Sequence, residues 1–120
     1  MKTYLERINE QTPTRMWVNN PTPSEAKKGL EAGTFGATSN PTYLSHMLKA
    51  EETKDAALSA IDRYVRMTED DHLVVALAYQ EMIAKIAEIF LPLFQETGGE
   101  KGWVASQGNP YRDDDIDFIL

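Results

Sequence analysis

Short unbroken apolar runs alternate with longer stretches of helical periodicity along this chain. The runs predict three strands, near residues 15–19, 34–38 and 102–107. Runs of this length are typical of parallel strands that are covered on both faces, although a buried segment of helix can look alike. Because a helical pattern follows each run, the chain is predicted to have an α/β fold.

The segment after the first strand carries clear signals for the start and the end of a helix. Thr22-Pro23-Ser24-Glu25 fits a capping box with proline at the first helical position. Gly33 is suited to end that helix. A strand–helix–strand unit of this kind is right-handed, and its two strands are therefore expected to be parallel.

The region between the second and third strands shows no strand pattern. It predicts a helical insertion of three helices, over Pro41–Ala50, Lys54–Met67 and Asp71–Gln95. Asn40 is placed to act as the N-cap of the first of them. Pro92 should kink or tighten the last turn of the third.

The remaining residues complete one domain over residues 1–120. A Gly98-Gly99 turn is predicted to lead into the third strand. The carboxylates of Asp113, Asp114 and Asp115 are expected to open a final helix that runs to the end of the chain at Leu120.

Composition and charge exclude several classes of function. The 120 residues contain no cysteine, which excludes disulfide scaffolds, thiolate metal sites and cysteine nucleophiles. The formal net charge of −7 repels phosphate backbones, so nucleic acid is not an expected partner. The longest apolar stretch, Ile83–Phe94, contains Lys85, Glu88 and Pro92, and no membrane partner is expected. The start of the chain lacks a targeting pattern, which favours the cytoplasm.

The most distinctive polar segment is Gly36–Thr42, at the predicted end of the second strand. In α/β barrels the carboxyl ends of the strands carry the catalytic residues. Thr38, Ser39 and Asn40 could orient a carbonyl or hydroxyl group there, aided by free N–H groups at a helix start. From spacing alone the alternative stays open that Asn40 only caps the helix and that Thr38 and Ser39 only satisfy the turn.

Gly36-Ala37-Thr38-Ser39-Asn40-Pro41-Thr42 resembles the glycine-x-threonine-threonine-asparagine-proline-serine segment that closes the second strand of transaldolases and fructose-6-phosphate aldolases. Met16–Asn19 resembles the first strand of that family, and Gly102–Gln107 resembles the third. The resemblance spans residues 15–120. It implies the first three βα units of a TIM (β/α)8 barrel, incomplete, with a helical insertion between strands 2 and 3.

The resemblance also implies an activity. The family transfers a dihydroxyacetone unit between sugar phosphates through a lysine Schiff base, in the pentose phosphate pathway and without a cofactor. By resemblance, Thr38, Ser39 and Asn40 would contact the substrate, and Gln107 would position the catalytic water. Asn19 stands where the family has a proton-handling aspartate. An amide cannot exchange a proton near neutral pH, so acid–base catalysis at Asn19 is in doubt.

The Schiff-base lysine of the family lies on a fourth strand, which this chain does not reach. The seven lysines here fall on a terminal segment, on predicted helix faces or in loops, where the amine stays solvated and protonated. We therefore expect a truncated, N-terminal part of a transaldolase-like enzyme that is inactive alone.

Other potential sites are weaker. His46 and His72 have no ligand partner at helical spacing, so no metal site is expected. The aspartates at 113–115 and Asp117 are expected to complement a helix start.

Two alternatives remain open. The first is a non-catalytic half-barrel that works as a binding module or that associates with copies of itself through exposed strand edges. The second is a free-standing helical protein without any barrel, which would require all three predicted strands to be absent.

Overall fold

The computed structural model describes residues 1–119, which form six helices and three short strands. The strands are β1 (Trp17–Asn19), β2 (Gly36–Thr38) and β3 (Trp103–Val104). The first three helices are α1 (Tyr4–Gln11), α2 (Pro23–Ala32) and α3 (Tyr43–Lys49). They are followed by α4 (Lys54–Val65), α5 (Asp71–Glu96) and α6 (Ile116–Ile119).

The three strands form one parallel sheet in the order β1-β2-β3. Trp17 is aligned with Gly36, and Gly36 is aligned with Trp103. The α/β class and the parallel arrangement are therefore confirmed, although each strand is shorter than its predicted range. Within residues 1–119, β1 and β3 pair with β2 alone, so each has an outer edge without a neighbouring strand.

The two faces of the sheet differ in how they are covered. Val18, Ala37 and Val104 share one face and belong to the hydrophobic core with the helices. Trp17 and Trp103 lie on the opposite face, where they remain 39% and 55% exposed. The expectation that the strands are covered on both faces is therefore wrong for the described residues. The face that carries Trp17 and Trp103 is called the open face below.

Helix α5 organises the core, because it packs against α2, α3, α4 and β3. Its buried side chains are large and include Met82, Ile86 and Phe90, none of which is more than 2% exposed. Small residues such as Ala57 and Ala60 on α4 let that helix approach α5 closely. The long predicted insertion thus covers one side of a small sheet.

The boundaries of α2 follow the predicted signals. The hydroxyl of Thr22 accepts from the backbone N–H of Glu25 at 3.3 Å, and the Glu25 carboxylate accepts from the N–H of Thr22 at 3.1 Å. Gly33 ends the helix at a φ of 98°, a left-handed conformation that glycine adopts without strain. The predicted capping box and glycine stop are both confirmed.

The start of α3 differs from the prediction, because α3 begins at Tyr43 and not directly after Asn40. The side chain of Asn40 accepts from the N–H of Thr42 at 3.0 Å, and the Asn40 carbonyl accepts from the N–H of Tyr43 at 2.9 Å. Asparagine often bonds to the backbone two residues ahead, which holds a turn in place of a first helical turn. Asn40 therefore precedes the helix by a full turn, and Thr42 occupies the N-cap position.

The remaining boundaries concern both ends of the chain. Helix α1 was not predicted, and none of its residues is buried. Helix α5 continues past Pro92 to Glu96, and Gly98 and Gly99 then turn the chain with positive φ angles, as predicted. Helix α6 follows the predicted aspartates, but Leu120 lies outside the described residues.

None of the helices in residues 1–119 combines the length and apolar character needed to span a bilayer.

Candidate functional site

The carboxyl ends of β1 and β2 are joined by side chains on the open face. The hydroxyl of Thr38 donates to Oδ1 of Asn19 at 3.0 Å. These two residues are aligned across the strands, so their side chains stand next to each other on one face. Asn19 is exposed and Thr38 is half-buried. Two of the sequence-predicted site residues are thus brought into direct contact.

A second link between the same strand ends uses Asn20 and Asn40. Oδ1 of Asn20 accepts from the backbone N–H of Asn40 at 3.2 Å. Asn20 adopts a φ of 49°, a left-handed conformation that asparagine tolerates better than most residues. The consecutive asparagines therefore bond in turn to Thr38 and to Asn40, which fixes the β2 exit relative to β1. No role was predicted for Asn20 from the sequence.

Ser39 points away from the open face and is buried against α5. Its hydroxyl donates to the carbonyl oxygen of Ala105 at 2.8 Å and also forms a short hydrogen bond with the hydroxyl of Tyr79. Because the Ser39 proton goes to Ala105, the Tyr79 hydroxyl must donate to Ser39. The Tyr79 oxygen in turn accepts from the backbone N–H of Gln107 at 3.4 Å. Ser39 therefore joins β2 to β3 and is not free to contact a substrate.

Tyr79 was not singled out by sequence analysis, although it connects three parts of the site. Its ring packs edge-on against Tyr43 with centroids 5.6 Å apart. The Tyr43 hydroxyl donates to the carbonyl of Pro21 at 2.8 Å, and burial raises the pKa of Tyr43, which stays neutral. The apolar spacing of α5 shows that Tyr79 faces inward. Its hydroxyl partners lie at least 28 residues away in sequence, and no local pattern reveals them.

Gln107 is exposed and lines a cleft between α5 and the segment that follows β3. The cleft has a volume of about 440 Å³. Pro41, Tyr79 and Gln107 place it beside the carboxyl ends of β2 and β3. Asn19, Thr38, Ser39 and Asn40 are not among its lining residues, so the structure separates Gln107 from the Asn19–Thr38 pair. This cavity is called the α5 cleft below.

An ion-pair network holds the outer wall of the α5 cleft. The guanidinium of Arg112 donates to Asp70 at 2.6 Å and to Asp115 at 2.9 Å. The other oxygen of Asp70 caps α5 by accepting from the N–H of His72 at 3.0 Å. Arg112 therefore ties the segment after β3 to the first turn of α5.

Acid should loosen this wall. Hydrogen bonds from Arg112 lower the pKa of Asp70 and of Asp115 below the ordinary aspartate value. A carboxylate with a lowered pKa stabilises the folded state above its ordinary pKa, and that contribution is lost as the pH falls through the folded-state value. We expect amide exchange of residues 109–115 to accelerate, after correction for intrinsic rates, below a pH of about 4.

A pair of asparagine variants gives the control for this prediction. Asp70→Asn keeps a capping oxygen but removes the charge, and it should accelerate amide exchange in residues 109–115 already at neutral pH. Asp113→Asn removes an exposed carboxylate and should leave that exchange unchanged. Equal exchange in both variants would contradict the role assigned to the Asp70–Arg112 pair.

All seven lysines lie within the described residues, and none stands at the carboxyl end of a strand. Six are exposed, and Lys101 is half-buried at the amino end of β3. The ammonium of Lys101 lies 4.6 Å from the centroid of the Phe35 ring, in a cation–π contact. The structure therefore offers no desolvated amine next to Asn19 or Thr38.

Metal ligation has no support in the described residues, where no group of three or more histidine, aspartate or glutamate side chains is arranged to hold an ion. His72 bonds instead to Asn109, with 2.7 Å between Nδ1 and Nδ2.

Comparison with known proteins gave no match among protein-family models, curated proteins or solved structures.

Proposed function

We propose that this chain supplies the first three βα units of a transaldolase-type (β/α)8 barrel. The observation that supports the proposal is the open face of the sheet. Barrel strands turn one face to the surrounding helices and the other to the barrel interior. Here Val18, Ala37 and Val104 face the helices, and the opposite face carries Trp17 and Trp103 without a helical cover.

The position of the polar residues agrees with this proposal. Asn19 and Thr38 lie at the carboxyl ends of adjacent parallel strands and on the open face, where a barrel enzyme collects its catalytic groups. In the completed barrel Thr38 and Asn40 would contact a sugar phosphate, whereas Gln107 lines the α5 cleft away from the Asn19–Thr38 pair and is left out of the proposed site. Asn19 would act as a hydrogen-bonding residue and not as an acid, because its side chain is an amide.

The proposed reaction is transfer of a dihydroxyacetone unit between sugar phosphates through a Schiff base. The imine lysine would come from a later strand, because none of the seven lysines of this chain stands at the carboxyl end of a strand. By itself the chain would hold and orient the substrate but would not form the covalent intermediate. Its place in carbohydrate metabolism and in the cytoplasm follows from the proposed activity.

Borohydride trapping in the presence of fructose 6-phosphate tests the proposal. The 120-residue chain should give no covalent adduct by mass spectrometry. If the natural reading frame continues past residue 120, its product should gain an adduct on a lysine outside these seven. An adduct on any of the seven would overturn the assignment of the nucleophile. A longer product that gives no adduct would overturn the transaldolase proposal itself.

A second candidate function is a non-catalytic module that associates with its own copies. The two tryptophans on the open face and the unpaired outer edges of β1 and β3, as far as the structure describes them, favour it. Multi-angle light scattering should then give a multiple of the 13.5 kDa chain mass that rises with concentration. A concentration-independent mass of one chain would exclude self-association, and a reading frame that stops at Leu120 would favour the module over the enzyme.

A further inference from the structure

The α5 cleft offers side chains for ligand binding that the proposed function does not use. One wall is the side of the first turns of α5 that carries His72, Tyr79 and Gln80, and the other is the segment from Ser106 to Tyr111, with Phe118 of α6. A volume of about 440 Å³ falls within the range of small-molecule sites in proteins.

Aromatic rings and side-chain amides dominate the lining. Tyr79 and Tyr111 contribute rings from opposite walls, and Tyr111 is 86% exposed. Gln80 and Gln107 contribute amides, and both are exposed. Each amide offers a donor and an acceptor to a bound molecule. None of the described lining residues is a lysine, arginine, aspartate or glutamate.

His72 adds one defined donor to this lining. The backbone N–H of Tyr111 donates to Oδ1 of Asn109 at 2.9 Å, which fixes the orientation of the Asn109 amide. Nδ2 of Asn109 therefore faces Nδ1 of His72, and this ring nitrogen must accept. In the tautomer that makes this bond, the ring carries its proton on Nε2. The ring also packs edge-on against Tyr111, with centroids 6.3 Å apart.

The outer wall is fixed before any ligand binds. Arg112 is held by Asp70 and Asp115, and its guanidinium lies 3.9 Å from the centroid of the Phe118 ring. These contacts hold the segment after β3 in a defined position relative to the first turn of α5. Binding of a ligand to a preformed cavity costs less conformational entropy than binding to a cavity that must open first.

We propose that the α5 cleft is a binding site for an uncharged polyhydroxylated compound of monosaccharide size. The apolar C–H face of a sugar ring would pack on Tyr111. Its hydroxyl groups would bond to the amides of Gln80 and Gln107 and to Nε2–H of His72. This inference uses only residues of the described chain and does not depend on the proposed barrel enzyme.

Two other ligand classes fit the cleft less well. A phosphate ester would find no cationic side chain among the described lining residues and would meet the overall charge of −7. An organic cation could use aromatic rings, but the Phe118 ring is already occupied by the guanidinium of Arg112. A compound that carries only neutral hydroxyl groups needs neither a cationic side chain nor the ring of Phe118.

Titration followed by ¹⁵N–¹H correlation spectra tests the proposal. The probes are methyl β-D-glucopyranoside, methyl β-D-galactopyranoside and sorbitol, with glucose 6-phosphate and choline as charged comparators. At least one neutral probe should give saturable shift changes in residues 75–80 and 106–111. It should bind more tightly than either charged comparator.

Two tyrosine variants complete the design. Tyr111→Ala removes the exposed ring of the cleft and should weaken binding of the neutral probe about three- to tenfold. Tyr4→Ala removes a ring of similar exposure, 67%, on the distant helix α1 and should leave the affinity unchanged. Absence of saturable shifts with all neutral probes, tighter binding of a charged comparator, or equal losses in both variants would overturn the proposal. None of these outcomes bears on the borohydride test.

Discussion

Replacing Phe90 with alanine should lower the free energy of unfolding by about 3–5 kcal/mol, the range for removing a buried phenyl ring. Phe90 is fully buried in α5, the helix that packs against three other helices and β3. The loss combines the transfer of the ring to water with the cavity left among neighbours that cannot close around it. Urea denaturation followed by circular dichroism measures the change.

The next residue along the chain provides a matched control. Leu91 is 47% exposed on the same helix, so Leu91→Ala should cost no more than about 1 kcal/mol. A domain of this size has roughly 5–15 kcal/mol of stability, and Phe90→Ala could leave little folded protein. Phe90→Leu then gives a smaller loss in the same direction. Similar losses for Phe90→Leu and Leu91→Ala would show that α5 is not packed as described.

The parts of the fold that sequence predicts best are those encoded by neighbouring residues. The Thr22 to Glu25 capping box and the glycine at 33 each act within one helical turn, and α2 forms as predicted. Helix α1 has the same kind of capping box, at Thr3 and Glu6, but it spans only eight residues and none of them is buried. Two helical turns offer too few apolar positions for the helical period to be recognised from the sequence, even when a cap is present.

The strand ends were harder to predict because their partners are distant in sequence. Spacing placed Thr38, Ser39 and Asn40 together after β2, but it could not show which of them would face the helices. Alternation from Ala37, which is buried, turns Ser39 toward Tyr79 and leaves Thr38 beside Asn19. The buried position of Ser39 depends on its hydrogen bond with the hydroxyl of Tyr79, a residue 40 positions further along the chain.

The exposure of one face of the sheet could not be predicted from the sequence either. An apolar run such as Met16-Trp17-Val18 indicates burial on both sides only if the chain supplies both covers. Here the helical insertion covers the face that carries Val18. Trp17 lies on the other face, and 39% of its surface remains exposed to solvent. The apolar pattern is therefore a property of the strand, whereas its burial depends on what the rest of the molecule provides.

The second large effect is expected at Gly36, where β2 passes between β1 and β3. A Cβ atom at this position would lie 2.2 Å from the backbone oxygen of Trp103 and 2.8 Å from Cζ3 of Trp17. The Trp103 oxygen cannot move away without disturbing the β2–β3 pairing. Gly36→Ala should therefore lower the free energy of unfolding by about 3 kcal/mol, at the upper end for overpacking.

The measurement is urea unfolding followed by tryptophan fluorescence, because Trp17 and Trp103 both flank Gly36 and report directly on the sheet. Gly108→Ala is the matched control, since no atom lies within 4 Å of its added Cβ. That variant should change stability by no more than about 0.5 kcal/mol. The native emission should shift only in Gly36→Ala, because only there must an indole move. Equal stability of the two variants would mean that β2 does not lie between Trp17 and Trp103, and the alignment of Asn19 with Thr38 would be lost with it.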